Sequence, residues 1–159
     1  MTRFWKISPG KKGKEWWWFK EKSVVAIGWD IGDLTDMSED EITRRIITEE
    51  WRKRGYIKEQ LMYLRDGMNI RDKIVAYSAE RVFGLGEITG GYYYCQDDLD
   101  FPHRKNVKWY MTPELMVNNL EISEGLRKKL SQRVTIFDLN QREWRELKKA
   151  ISKIWFRFI

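Results

Sequence analysis

The sequence predicts an α+β fold in which a curved mixed sheet, or small barrel, of five or six strands is surrounded by short helices. Two patterns predict it. Short β-branched and aromatic runs alternate with capped helical segments, and the middle of the chain has the pattern of a β-hairpin. The length of 159 residues suits one compact domain, so we assign residues 1–159 to a single domain.

The first strand, helix and second strand are expected to follow one another closely. Residues 3–7 alternate in polarity and stop at a Ser-Pro-Gly turn, which indicates a strand. Residues 15–21, EWWWFKE, carry too many aromatic side chains for a loop and predict a short helix. Residues 24–29, VVAIGW, form an apolar run of the length typical of a buried strand.

Two further helices are predicted before the hairpin. Ser38 with Glu41 three residues later makes a capping box, which marks the start of a helix. The next helix covers residues 58–66 and is expected to end at Gly67 as a left-handed cap. The hairpin then pairs residues 72–79 with residues 81–94.

The last third of the chain is predicted to alternate strands with helices. Residues 107–111, VKWYM, and residues 134–139 have strand composition. Thr112 with Pro113, and later Ser123, are typical of helix starts. A final helix is expected after Asn140, which pairs with Glu143 in a second capping pattern.

Composition and charge limit the classes of function. The net charge of +6 and a pI near 9.4 favour a polyanionic partner, and nine tryptophans exceed what an ordinary core of this size needs. No apolar run is long enough for a membrane span, and the first residues lack a secretory signal, so we expect a cytoplasmic protein. The abundance of Lys, Arg and Glu indicates a thermophilic source.

Motifs for catalysis or for a bound cofactor fail on spacing or context. Residues 8–15 lack the glycine and hydroxyl that a Walker loop requires, and the glycines at 84, 86 and 90 precede no helix. One cysteine, Cys95, and one histidine, His103, exclude a disulfide and a four-ligand zinc site. The sequence therefore predicts no metal and no cofactor.

Basic residues interleaved with aromatic residues remain as the main functional pattern. Lysines are expected to hold phosphates while rings stack on bases, each stacked base contributing ~1–3 kcal/mol. The basic residues predicted to contact a nucleic-acid backbone are Lys11, Lys12, Lys14, His103, Arg104, Lys105 and Lys108.

Four segments in order resemble the EVE and YTH branch of the PUA-like domains: WKISPG, VVAIGWD, KIVAYSAERVFGLGEITGGYYY and FPHRKNVKW, within residues 3–111. The resemblance implies a pseudo-barrel that holds a modified base in an aromatic cage. The chain is similar in particular to the N-terminal specificity domain of archaeal McrB-type restriction proteins. In those proteins a separate AAA+ GTPase drives cleavage by an McrC-type nuclease.

The resemblance also implies the site. Trp29 matches the cage tryptophan after the second strand, Asp30 lies where it meets a base edge, and Ser8 stands near the base. The second ring is open among Tyr92, Tyr93, Tyr94 and Phe101, and a third wall is open between Trp16 and Trp17. We assign four other tryptophans to the core: Trp51, Trp109, Trp144 and Trp155.

The leading hypothesis is a non-enzymatic domain that flips a methylated base, N6-methyladenine ahead of 5-methylcytosine, out of double-stranded DNA. It would thereby target a McrBC-type restriction complex. An RNA reader of the same fold is one alternative. The others are an enzyme with a magnesium site at Asp97, Asp98 and Asp100, and a protein interaction domain.

Overall fold

A computed structural model describes residues 1–155, so residues 156–159 of the predicted domain lie outside the described part. The strands are β1 (Phe4–Ile7), β2 (Val24–Ile27), β3 (Lys73–Ser78), β4 (Arg81–Ile88), β5 (Tyr93–Tyr94), β6 (His103–Met111), β7 (Leu115–Met116) and β8 (Ile136–Leu139). The helices are α1 (Trp16–Lys22), α2 (Glu39–Ile47), α3 (Arg54–Met62), α4 (Glu124–Leu130) and α5 (Gln141–Trp155).

The strands form one mixed, curled sheet in the order β2-β6-β4-β3-β1-β8. Strands β1 and β3 are parallel and the other pairs are antiparallel, while the two-residue strands β5 and β7 attach to β6 and β4. This arrangement confirms the predicted α+β fold with a curved sheet. We expected five or six strands, whereas the sheet in residues 1–155 has eight, of which β5 and β7 have two residues each.

Glycines allow rings to press directly on the curved sheet. A Cβ on Gly84 would lie 2.5 Å from the Trp16 ring, and a Cβ on Gly86 would lie 2.6 Å from Val107. The register shifts between Leu85 and Gly86, and such bulges increase local twist. The glycines of this segment therefore serve packing and curvature.

The sheet separates two apolar cores. Trp5 and Ile7 of β1 belong to the core that also contains α1, α2 and α3 residues, whereas Phe137 belongs to the core formed with α4 and α5. Because strand side chains alternate between faces, Lys6 lies on the second side, with its Nζ 5.1 Å from the centre of the Phe137 ring.

The predicted N-terminal caps at Ser38 and Asn140 and the predicted hairpin turn are confirmed. The Ser38 hydroxyl accepts from the Glu41 N–H at 3.1 Å, and Asn140 and Glu143 exchange two bonds of 2.8 Å. At the β3–β4 turn, Ala79 has a positive φ of 50° and the next residue a φ of 64°, as a two-residue turn of this hand requires.

Two predictions about local structure are wrong. Gly67 does not adopt the left-handed conformation; in residues 1–155 the glycines with positive φ are Gly10, Gly13 and Gly32. The missing Cβ of Gly67 instead makes room for the Trp5 ring, since a Cβ built there would lie 3.0 Å from that ring. Thr112 and Pro113 do not start a helix. The residues that follow pair as β7 with Arg81 and Val82 of β4, so strand pairing overrides the local preference.

Within residues 1–155, no α-helix meets the length and hydropathy that a bilayer crossing requires.

Candidate ligand-binding cavity

A cavity of about 850 Å³ opens where the two margins of the curled sheet approach each other. The end of the β2 margin contributes residues 26–29, and residues 130–135 come from the loop before β8, the strand at the other margin. The remaining walls come from Lys6 in β1 and the residues that follow β1, from residues 77–80 at the end of β3 and in the β3–β4 turn, and from Asp100 with Phe101. Ligand pockets commonly measure ~300–1,000 Å³, so this cavity has room for a nucleotide-sized group.

Trp29 lies in this wall with an unusual backbone conformation. Its φ is +59°, in the left-handed region that bulky side chains rarely adopt. Such a conformation costs ~1–3 kcal/mol and persists only where the surrounding contacts hold it. At Trp29 that contact is made by His103, whose Nε2 lies 3.0 Å from the Trp29 carbonyl oxygen.

His103 belongs to a buried chain of hydrogen bonds behind Trp29. The Leu34 N–H donates to the Tyr92 hydroxyl at 3.1 Å, and that hydroxyl lies 2.8 Å from His103 Nδ1. Burial lowers the pKa of His103, so the ring is neutral at physiological pH. The neutral ring accepts from Tyr92 through Nδ1 and donates through Nε2 to Trp29.

This arrangement corrects two sequence predictions. His103 is fully buried and does not face a nucleic-acid backbone; it positions Trp29. Tyr92 directs its hydroxyl at His103 and lies outside the cavity lining, so it supports the cavity wall from behind. A lone histidine beside basic residues was expected to lie on the surface. The pairing of β6 with β2 buries His103 instead.

Tyr56 of α3 also backs the Trp29 indole, and sequence reasoning missed it. The two rings meet edge to face, with centroids 5.9 Å apart and planes at 90°. The Tyr56 hydroxyl donates to Thr135 Oγ1 at 3.1 Å and accepts from the Thr135 N–H at 2.9 Å. Tyr56 thus ties the indole to the loop before β8.

Phe101 is the candidate second ring that the structure brings into the cavity wall. Phe101 lines the cavity and packs edge to face against Trp18 at 5.9 Å. The hydroxyl of Tyr93 instead bonds Asn106 at 3.0 Å, outside the lining. Among the rings proposed from the sequence and placed in the described part of the chain, Phe101 and Trp29 share this cavity.

Asp30 serves the loop rather than the cavity lining. Its Oδ1 accepts from the Tyr94 hydroxyl at 2.7 Å and from the Gly32 N–H at 3.0 Å. The hydrogen bond to Asp30 raises the pKa of Tyr94 to about 12, so Tyr94 remains a donor. The sequence predicted that Asp30 meets a base edge, but Asp30 lies outside the cavity lining. Ser8 does line the cavity, at the end of β1.

The tryptophan triplet on α1 does not form a third wall. Trp16 is 3% exposed, and its Nε1 donates to Glu114 at 3.1 Å while its ring meets Trp109 at 4.9 Å. Trp17 is 64% exposed and lies outside the cavity lining. Consecutive helical side chains diverge by about 100°, so neighbours in sequence separate into core and solvent.

The tryptophans assigned to the core do pack against it. Trp144 is buried, and Trp51, Trp109 and Trp155 are half-buried against the two cores.

The predicted backbone-contacting residues divide into surface and core. Lys11 and Lys12 are exposed and line the cavity, whereas Lys14 and Lys108 are exposed away from it. Lys105 is 3% exposed and caps carbonyl oxygens of Arg65 and Met68, so its predicted phosphate contact is wrong.

Arg133 belongs to the basic rim of the cavity, whereas Arg104 does not line it. Arg104 is half-buried and paired with Asp98 at 2.9 Å, over the Trp18 ring. Arg133 is exposed and lines the cavity, and no pattern in the sequence distinguishes it from other surface arginines. The rim therefore presents Lys11, Lys12 and Arg133, opposed by Glu80 and Asp100.

The alternative magnesium site finds no geometric support. In the described part of the chain, no three acidic, cysteine or histidine side chains come together as a metal site requires. Asp98 instead accepts from the backbone N–H groups of Asp100 and Phe101, at 3.2 Å each. The acidic loop is thus shaped by its own hydrogen bonds.

Residues 5–140 match the model of a family described as Domain of unknown function (DUF8426). No curated protein matches the chain in sequence.

Solved structures match most of the chain at low identity. Protein Atu2648 from Agrobacterium tumefaciens is 16% identical with a TM-score of 0.55, over 94% of this chain and 93% of that one. The YTH domain of Zygosaccharomyces rouxii MRB1, in complex with N6-methyladenosine RNA, is 9% identical with a TM-score of 0.54, over 94% and 84%. The Mmi1 YTH domain, in complex with RNA, is 10% identical with a TM-score of 0.54, over 99% and 82%. The fold is therefore YTH-like.

Proposed function

Because the chain belongs to the family described as Domain of unknown function (DUF8426) and has a YTH-like fold, we propose that it is a non-enzymatic reader of a modified base in nucleic acid. One observation carries the proposal. The Trp29 indole lies in the wall of a large cavity, and a buried hydrogen-bond chain through His103 holds its backbone in a left-handed conformation. The ring is thus fixed in place before any ligand arrives.

The favoured ligand is N6-methyladenine. Burying a methyl group is worth about 0.8 kcal/mol, and contact with the Trp29 and Phe101 rings adds dispersion, so discrimination of ~1–3 kcal/mol follows. A neutral base packed on rings needs no metal or nucleophile. The resemblance of the sequence to YTH domains places 5-methylcytosine second.

The favoured polymer is double-stranded DNA, by resemblance to the McrB-type specificity domains. Flipping the base costs a few kcal/mol, which stacking on Trp29 and phosphate contacts from Lys11, Lys12 and Arg133 would offset. In this proposal the domain targets a restriction complex whose nuclease is of the McrC type. The motor would be a separate AAA+ GTPase.

RNA is the second candidate polymer. The structures of the MRB1 and Mmi1 YTH domains, which share the fold, are complexes with RNA. An RNA reader would use the same rings and would differ by contacts to the 2′-hydroxyl. A single-stranded substrate would also avoid the cost of flipping.

Fluorescence-polarisation binding at fixed salt tests the proposal. The probes are duplex DNA and single-stranded RNA of one sequence, each with adenine, N6-methyladenine, cytosine or 5-methylcytosine at one position. We expect one modified probe to bind about tenfold more tightly than its unmodified match, which corresponds to about 1.4 kcal/mol. The variant Trp17→Ala, which removes an exposed ring outside the cavity, should keep that preference. Equal binding of all probes would contradict a reader.

A further inference from the structure

The cavity has a polar side that the proposed base contacts do not use. Lys6 lines it and is 2% exposed, on the sheet face opposite Trp5 and Ile7. Tyr77, at the end of the neighbouring strand β3, lines the same cavity and is also 2% exposed. Both side chains belong to the side of the sheet that carries α4 and α5.

Lys6 is a buried amine without a carboxylate partner. Its Nζ donates to the Ser8 hydroxyl at 2.7 Å and to the Val134 carbonyl oxygen at 2.5 Å, and both acceptors are neutral. Lys6 takes part in none of the ion pairs formed by residues 1–155. An ammonium has three N–H donors, so these two bonds leave one donor and the whole charge for another group.

The Tyr77 hydroxyl is a second buried group that lacks a partner. Among the described residues, it is the buried side-chain polar atom left without a hydrogen bond. Buried polar groups nearly always have one, so an unpaired hydroxyl at a cavity marks a place for a ligand atom. Burial raises the pKa of Tyr77 and outweighs the opposite effect of the nearby Ser131 hydroxyl, so the Tyr77 hydroxyl keeps its proton and acts as a donor.

The charge around the cavity mouth is consistent with a negative ligand. The charged residues that line the cavity besides Lys6 are Lys11 and Lys12 after β1, Glu80 in the β3–β4 turn, Asp100, and Arg133 before β8. Three cations thus face two carboxylates, and Lys6 adds a fourth positive group when protonated. Such a lining raises the local concentration of anions.

We propose that Lys6 and Tyr77 form an oxyanion subsite of the cavity, distinct from the Trp29 wall, that binds a phosphate group. The phosphate supplies the anionic partner that Lys6 lacks, and it accepts a hydrogen bond from the Tyr77 hydroxyl. Ser8 also lines the cavity, and its hydroxyl, which accepts from Lys6, keeps a proton that it can donate to the same phosphate. That the phosphate belongs to a nucleotide rests on the proposed function, whereas the oxyanion chemistry does not.

The experiment is calorimetric titration with three probes: inorganic phosphate, adenosine and adenosine monophosphate. We expect the Lys6→Met variant to lose about tenfold or more in affinity for phosphate and for the monophosphate, since a charge-assisted bond is lost. The Tyr77→Phe variant should lose several-fold in affinity for the same two ligands. Both variants should bind adenosine as the wild type does, whereas Trp29→Ala should weaken adenosine and leave inorganic phosphate unchanged.

Proton uptake gives a second readout. Burial lowers the pKa of Lys6 to about 7, so at a pH above this value the free protein holds mostly the neutral amine. Binding an anion then requires a proton, which titration in buffers of different ionisation enthalpy detects. The wild type should take up protons at a pH of about 8 and fewer at about 6, since Lys6 is already charged there. Lys6→Met should abolish this uptake.

The two proposals fail separately. Binding of inorganic phosphate that is equal in wild type and Lys6→Met, or no binding at millimolar concentration, would overturn the subsite and leave the base reader standing. Adenosine binding that is unaffected by Trp29→Ala, with phosphate binding still dependent on Lys6, would remove the reader alone. Tyr77→Phe, which deletes one oxygen atom, decides the matter if Lys6→Met fails to fold.

Discussion

Two tryptophan-rich regions, the triplet on α1 and the Trp29 segment after β2, are used in opposite ways. Trp16 is packed between Phe83 and Trp109 and contributes to the core, at ring distances of 5.7 Å and 4.9 Å. Trp29 is half-buried, has a left-handed backbone and faces a cavity. The number of aromatic residues in a segment therefore does not mark a site, whereas an indole held in a costly backbone conformation beside open space does.

The largest expected effect is on stability, at Trp16. The substitution Trp16→Ala removes a buried ring that contacts two others and should lower the free energy of unfolding by about 3–5 kcal/mol. Its neighbour Trp17→Ala should change stability by less than about 0.5 kcal/mol, because that ring is exposed. Urea denaturation measures both. Equal effects at the two positions would show that the triplet is not divided between core and surface.

A smaller effect is expected from a substitution in the hydrogen-bond chain behind Trp29. In His103→Phe the Trp29 carbonyl and the Tyr92 hydroxyl lose their shared partner, at a cost of about 1–3 kcal/mol in unfolding free energy. Affinity for the modified probe should fall as well, since Trp29 is released. Normal affinity in a destabilised His103→Phe would mean that His103 supports the fold without positioning the ring.

The pH dependence follows from the same histidine. Burial depresses the pKa of His103 in the folded state, so the unfolded chain, with a pKa near 6.5, takes up the proton first. The stability that the neutral ring contributes is therefore present above a pH of about 6.5 and is lost as the pH falls through the folded pKa. Thermal melting between neutral and acid pH should show this loss, and His103→Phe should lack that component.

The smallest expected effect concerns the rim cations. Lys11→Ala and Arg133→Ala should each weaken binding to modified and unmodified probes alike and reduce the slope of log affinity against log salt by about 1. Lys108→Ala, which removes an exposed lysine away from the cavity, is the matched control. A loss of base preference in Arg133→Ala would instead assign it to base recognition.

Local patterns in the sequence were sufficient to predict the helix caps at Ser38 and Asn140, the hairpin and the strand that leads to Trp29. These depend on residues close together in the chain, such as Ser38 with Glu41. The helix predicted after Thr112 was wrong because β7 pairs with β4, a contact between segments far apart in sequence. Such pairings override local preference and leave no local pattern.

Much of the cavity could not be predicted for the same physical reason. The curl of the sheet brings its β2 and β8 margins close together. This proximity places Lys6 and Arg133 in the cavity wall and Tyr56 behind Trp29. In the sequence they resemble ordinary helix, loop and strand residues. The burial of His103 and Lys105 likewise follows from the pairing of β6 with β2, which places both side chains inward.

The role of Trp29 is tested most directly by the selectivity of Trp29→Ala for modified over unmodified probes, measured by polarisation at one salt concentration beside Trp17→Ala. We expect Trp29→Ala to lose the preference for the modified probe, worth about 1–3 kcal/mol, while the general affinity from the rim cations persists. Trp17→Ala should keep the wild-type preference. A folded Trp29→Ala protein that still prefers the modified base would contradict the assignment of Trp29 as the ring that reads it.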